Sequence, residues 1–294
     1  MQVVVSHIHN PVILSYFNFS SQAGTCALSD FGFVINHHAE QVNVPDPSVC
    51  ETNTMKIPGV EGIFEVLQFH IHMSSEHSFD GKFFGAELHI VHKERDGNRL
   101  AVVGLFIMPS ATESHPIFND LLMEFDVFTD EAYLKCNKTM LPHWWQANGA
   151  DNYRDDYASS RLNVYDLIPE GSTFYNYAGG LTTPPCSEIV EWNVVDTPVE
   201  ITVSQFNDLS SLILNYVDGE TCEFSTVADP DSGSTSRPPQ DLNGRSVRRI
   251  CPGQYSPVED EVYVMVSKLE SGAASHFKAM AMLAVTFVVA ALSI

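Results

Sequence analysis

Between Gly62 and Met73 the chain reads GIFEVLQFHIHM, a pattern that suits an extended strand. A regular strand here puts Phe64, Val66, Gln68, His70 and His72 on one face and Glu65, Leu67, Phe69 and Ile71 on the other. Ala86 to His92 (AELHIVH) predicts a second strand with Glu87, His89 and Val91 on a shared face. Leu100 to Met108 is an apolar run of buried-strand length, and Ile189 to Val195, which contains Trp192, is a fourth strand candidate. Turn residues separate the first three, at Phe79-Asp80-Gly81-Lys82 and at Arg95-Asp96-Gly97-Asn98. Helical periodicity is sparse. Pro116 to Phe128 carries Ile117, Leu121, Leu122 and Phe125 at helical spacing. Ser204 to Tyr216 predicts a second helix, with Ser204 as its N-cap and Phe206, Leu209, Ile213 and Leu214 as its apolar stripe. Asp229 to Gln240 (DPDSGSTSRPPQ) reads as irregular chain. The elements predict a mainly β protein with a few surface helices, and the lack of an obvious linker predicts a single domain.

Composition narrows the choice of partners. Fifteen Lys and Arg face 37 Asp and Glu, a formal net charge of −22 on 294 residues. Such a surface repels phosphate backbones, which excludes nucleic acid as the expected partner. No fixed-period repeat is present before residue 279, so a solenoid or propeller is not expected. Six cysteines (Cys26, Cys50, Cys136, Cys186, Cys222 and Cys251) show no CxxC spacing, which disfavours a thiolate zinc knuckle. Their even number suits disulfides in an oxidising compartment, with the pairing left open. Asn18-Phe19-Ser20 and Asn137-Lys138-Thr139 are glycosylation sequons.

The histidines carry the candidate chemistry. His70 and His72 are two apart, so on a strand both rings leave the same face. His89 joins them if the two strands pair around the Asp80-Gly81 turn. Three neutral imidazoles with one open position form the ligand set of a catalytic zinc site, whereas structural zinc sites close with four protein ligands. Gln68 and Glu87 each stand two residues before one of these histidines, on its face, where they can accept the second ring N–H and hold the tautomer. His92 falls on the face opposite His89 and reads, like His77, as a hydrogen-bonded core residue. His7, His9, His115, His143 and His276 belong to no constellation.

QFHIHMSSEHSFDGKFFGAELHIVHKE, from Gln68 to Glu94, closely resembles the zinc-binding core of α-class carbonic anhydrases. YAGGLTTPPCSEIVEW (Tyr177 to Trp192) and SRPPQDLNGR (Ser236 to Arg245) resemble two further signatures of that family, in the same order. The resemblance spans roughly Pro11 to Arg249 and implies a large, central, twisted and mostly antiparallel β-sheet. It implies Zn2+ held by His70, His72 and His89. It also implies reversible hydration of carbon dioxide to bicarbonate and a proton by zinc-bound hydroxide, the nucleophile already known for this enzyme class. In that scheme Thr182 accepts a hydrogen bond from the hydroxide while donating to Glu76. Thr183 lines the site for anions and sulfonamide inhibitors. Val91, Val102, Leu181, Val190 and Trp192 form the apolar wall for carbon dioxide, although the residues alone read as plain core. In INHHAEQV the family's proton shuttle falls on His38, with His37 as the adjacent competitor and Asn36 and Gln41 as polar neighbours.

The resemblance also marks differences. Met73 stands where a tryptophan is common, and the family pattern begins before Met1, so the chain reads as N-terminally truncated. Cys186 then sits where secreted members pair with a cysteine of that earlier segment. The first residues have no secretory-signal pattern, whereas the chain ends on AMAMLAVTFVVAALSI, preceded by the small residues Ser271-Gly272-Ala273-Ala274-Ser275. These features predict a catalytic domain over 1–266, a spacer over 267–278, and a hydrophobic tail over 279–294 acting as a GPI signal or membrane anchor. The expected location is extracellular or in the secretory pathway. A competing reading, a catalytically silent binding or adhesion protein on the same fold, would require a lost ligand, and all three histidines, Glu76 and Thr182 are present.

Overall fold

A computed structural model describes residues 53–138, 163–224 and 234–251, together with the backbone of short strands outside those ranges. The early strands are β1 (Val4–Val5), β2 (Val12–Leu14), β3 (Asn18–Phe19), β4 (Gly32–Asn36), β5 (Ala39–Asn43) and β6 (Thr54–Lys56). The central ones are β7 (Phe64–Met73), β8 (Ser78–Phe79), β9 (Ala86–Glu94) and β10 (Leu100–Pro109). They are followed by α1 (Pro116–Lys135), β11 (Phe174–Gly179), β12 (Val190–Val195) and β13 (Val199–Ile201). Last come α2 (Val203–Leu214), β14 (Arg248–Cys251) and β15 (Val266–Ser267).

One large sheet dominates, in the order β15-β2-β14-β11-β12-β10-β9-β7-β5-β4. Most neighbours run antiparallel, as expected, but β10 pairs in parallel with β12 and β13, and β14 with β2, which makes the sheet mixed. The β7–β9 connection folds back through a tight turn in which Asp80 and Gly81 both have positive φ (50° and 74°), the conformation that an Asp-Gly pair adopts readily.

The regular alternation expected along β7 is broken. Val66 pairs with His92 and Gln68 with Val91, so Leu67 is an extra residue, a β-bulge, and its side chain is 49% exposed. Phe64 and Val66 before the bulge therefore join Phe69, Ile71 and Met73 after it in the same core. Gln68, His70 and His72 stay on the other face. That core lies between the sheet and the two helices, through Phe118, Leu121 and Phe125 of α1 and Leu209, Leu212 and Ile213 of α2.

The helices are longer or shifted relative to expectation. α1 continues past Phe128 to Lys135, because buried Tyr133 extends its packed face and donates from its hydroxyl to Asn215 O (2.9 Å). Cys136, at its C-cap, is disulfide-bonded to Cys222. α2 starts at Val203, not Ser204, and ends at Leu214. Its cap is Thr202, whose hydroxyl accepts from Gln205 N–H in a reciprocal capping box. Gln205 is fully buried and also donates to His115 O and to Asn119 Oδ1, tying the starts of both helices together. Cys186 and Cys251 carry free thiols.

Candidate metal centre

The pairing of β7 with β9 sets His70 opposite His89 and His72 opposite Glu87. The three imidazoles meet on the sheet face away from the helices, with ring centroids 4.8–5.1 Å apart. Each offers a ring nitrogen, all within 4.8 Å of one another, so the group could hold a metal ion. His72 and His89 are buried, and His70 is partly open to solvent.

Elementary hydrogen-bond logic fixes two of the tautomers. Gln68 Oε1 lies 2.9 Å from His70 Nδ1 and can only accept, so Nδ1 carries the proton and Nε2 presents its lone pair. Glu87 Oε1 lies 2.9 Å from His89 Nε2 and 2.6 Å from His77 Nδ1, so both nitrogens donate, and His89 Nδ1 is left for a metal. Glu87 Oε2 accepts from the backbone N–H of Glu76 (2.9 Å) and of His77 (2.8 Å). With His77 Nδ1 protonated, its Nε2 accepts from the Tyr177 hydroxyl at 2.6 Å. His77, Glu87 and His89 thus form a hydrogen-bonded relay, although their atoms are also close enough to be counted as a metal-capable group.

Burial alone would push the Glu87 carboxyl up, but His77 and His89 outweigh it and hold the group well below the usual carboxylate range. Burial likewise disfavours charge on His89, yet Glu87 and Glu76 beside it raise its pKa above the ordinary value. A proton therefore competes with a cation for His89. Close packing keeps the relay in place. Gly104 lies opposite His89 in β10, and a Cβ there would stand 2.7 Å from Glu87 Oε1.

Glu76 is 1% exposed. Its Oε1 accepts from Arg237 N–H at 2.8 Å. Its Oε2 is buried without a hydrogen-bond donor among the described residues, 3.8 Å from His72 Nε2 and 4.0 Å from His89 Nδ1. An acceptor left this way beside ring nitrogens fits a site completed by a bound cation or donor. The expected Thr182–Glu76 hydrogen bond is not among those of the described residues; the donor that reaches Glu76 is Arg237 N–H, from a segment distant in sequence. Thr182 and Thr183 lie half-buried in the loop after β11. That loop is closed by Leu181 N–H to Ser187 O and Cys186 N–H to Thr183 O.

The five apolar residues expected to line the site do come together. Val91, Val102, Val190 and Trp192 belong to one buried cluster on the histidine side of the sheet, with Leu181 packed against it. Val102 is the register partner of both Val91 and Trp192. The Trp192 ring lies 4.9 Å from His89 and donates from its indole N–H to Gly180 O. His38 falls outside the described residues.

Tyr177 and Arg237 lie within the two further signature segments but had no role assigned to them, and Gly104 and His77 as a relay member were not singled out by the sequence. A usable signal existed for Tyr177, which opens the YAGGLTTPPCSEIVEW segment and in the structure pairs with Trp192 of β12. His92, as expected, is a core residue: its Nδ1–H donates to Ala101 O, and its Nε2 accepts from the Tyr165 hydroxyl.

Residues 17–251 match the eukaryotic-type carbonic anhydrase family. The chain is 30% identical over 267 residues to human carbonic anhydrase 7, with 84% of each protein covered. It is 36% identical over 149 residues to a carbonic anhydrase of Nostoc sp., covering 51% of this chain and 47% of that protein. Its fold is similar to that of carbonic anhydrase Cah3 from Chlamydomonas reinhardtii in complex with acetazolamide. That likeness has a TM-score of 0.57 at 25% identity, covering 85% of this chain and 89% of the other. With three histidines gathered over an apolar wall and the family matched over residues 17–251, the chain belongs to the eukaryotic-type carbonic anhydrases.

Proposed function

We propose that the chain interconverts carbon dioxide and water with bicarbonate and a proton at a zinc site formed by His70, His72 and His89. It is an enzyme of the carbonate dehydratase class. The observation that carries the assignment of the site is the convergence of three imidazoles, two with their lone pairs aimed by Gln68 and Glu87.

Zinc, when bound, supplies the Lewis acidity that makes water nucleophilic near neutral pH, as is known for carbonic anhydrase. The side chains do the rest. Gln68 and Glu87 keep His70 and His89 in the metal-binding tautomers. Val91, Val102, Val190, Trp192 and Leu181 offer nonpolar carbon dioxide a surface where it does not compete with water for hydrogen bonds. Glu76 supplies a fixed acceptor beside the histidines, for which the Thr182 hydroxyl is the assigned donor. Thr183 is the assigned contact for anions and sulfonamides; a structural relative is described in complex with acetazolamide. His38 is assigned the transfer of the product proton to solvent.

The apolar stretch 279–294 and the cysteine content support attachment to a membrane of the secretory pathway, with glycosylation at Asn18 and Asn137. Among the described residues no helix is long and apolar enough to cross a membrane.

Stopped-flow carbon dioxide hydration, with zinc analysis of the same samples, tests the function. Wild type should be active, zinc-loaded and inhibited by acetazolamide, and His89→Ala should lose zinc and at least about 100-fold in rate. An inactive, folded, zinc-loaded wild type would instead favour the silent binding protein.

A further inference from the structure

β5 pairs with β7 from Gln68 to Ile71, and beyond that point a different segment takes over the strand's edge. Residues 234–237 have no regular secondary structure, yet they are bonded to the end of β7 at several points. Met73 N–H donates to Thr235 Oγ1 at 3.1 Å, and Thr235 N–H donates to Met73 O. The hydroxyls of Ser74, Ser234 and Ser236 form a triangle with sides of 3.3, 3.4 and 2.6 Å. Two residues beyond Thr235, Arg237 N–H donates to Glu76 Oε1 at 2.8 Å, and its guanidinium reaches Leu181 O at 3.4 Å.

One strap therefore holds the strand end that follows His72, one oxygen of Glu76, and the loop carrying Thr182. A carboxylate anchored at one oxygen has its second oxygen aimed as a consequence. Glu76 Oε2 points at His72 and His89 with no donor of its own among the described residues. Loosening the strap would free the carboxylate to rotate and let the Leu181 carbonyl drift, without touching an imidazole.

We infer that Thr235 and Arg237 are positioning residues for the hydration reaction, acting through Glu76 and the Leu181–Thr183 loop. The inference rests on the site reading above. Thr235 supplies the acceptor that docks the strap on Met73, and Arg237 passes that position to the carboxylate and the loop.

Thr235→Val removes the acceptor at nearly constant shape, and Thr235→Ser restores it. Thr235→Val should lower kcat for carbon dioxide hydration about tenfold with KM changed by less than about twofold, as expected of misaligned groups rather than weakened binding. Zinc content should stay at the wild-type level, and Thr235→Ser should recover most of the rate. In the metal-free proteins, hydrogen exchange at Glu76 and at residues 181–183 should be faster in Thr235→Val. Arg237→Ala against Arg237→Lys gives the same contrast at the loop if Thr235→Val fails to fold. An unchanged kcat with unchanged exchange, or a rate loss that tracks zinc loss, would overturn the inference. If wild type proves inactive, the function reading falls, and the exchange comparison in metal-free protein decides this inference alone.

Discussion

Burial disfavours charge on both His89 and His92, three residues apart on β9, yet their pKa values move in opposite directions. His89 faces Glu87 and Glu76, which raise its pKa above the ordinary value despite the desolvation cost. His92 faces Tyr165 and a backbone carbonyl, neither of them charged, and burial lowers its pKa from the ordinary 6.5 to about 4. The unfolded chain therefore binds a proton at this residue between pH 6.5 and 4 that the folded protein does not. Stability from this group is full above about pH 6.5 and falls as the pH drops towards 4, by on the order of 3 kcal/mol. Urea unfolding of the metal-free protein across that range should show His92→Gln with a shallower pH slope than wild type. Equal slopes would place the acid sensitivity elsewhere. His92 was legible as a bonded core histidine, because strand alternation turns it away from His89. The His77–Tyr177 half of the relay was not, since its partner comes from a strand 100 residues further along the chain.

Among the elements, β7 shows both how far alternation carries and where it fails. The period of two brings Gln68, His70 and His72 together, and that local fact made the candidate site readable. The bulge at Leu67 depends on the register with β9, which only the paired strands reveal. Because of it, residues on both sides of Leu67 feed one core while the histidines keep the other face. Leu67→Ser, at a half-exposed position, should change stability by no more than about 0.5 kcal/mol. Deleting Leu67 removes the frame shift and turns either Phe64 and Val66 or the histidines to the wrong face. Thermal melts should therefore show near-wild-type unfolding for Leu67→Ser and no cooperative transition for the deletion. A deletion variant that folds and binds zinc would contradict this account of the strand. The start of α2 was misread for a related reason. Two hydroxyl residues, Thr202 and Ser204, compete for the cap, and the choice falls to Thr202 because Gln205 completes the box while buried against α1.

Across the whole molecule, the sheet separates two jobs. Its helix-covered face holds the larger core, and its other face carries the histidines and the apolar cluster around Trp192. The fold class, the gathering of the three histidines and the apolar cluster beside them were legible because long local motifs encode them. The strap at 234–237, the Glu76 contact and the Cys136–Cys222 link were not, since each joins segments far apart in sequence. The central claim is that the three-histidine centre catalyses hydration with one zinc ion per chain. Zinc titration into metal-free protein, with carbon dioxide hydration followed at each addition, tests this most directly. The account predicts negligible activity at the start, a linear rise that breaks at a single equivalent, and no rise for His89→Ala. Full activity before zinc is added, or an equal rise in His89→Ala, would contradict it.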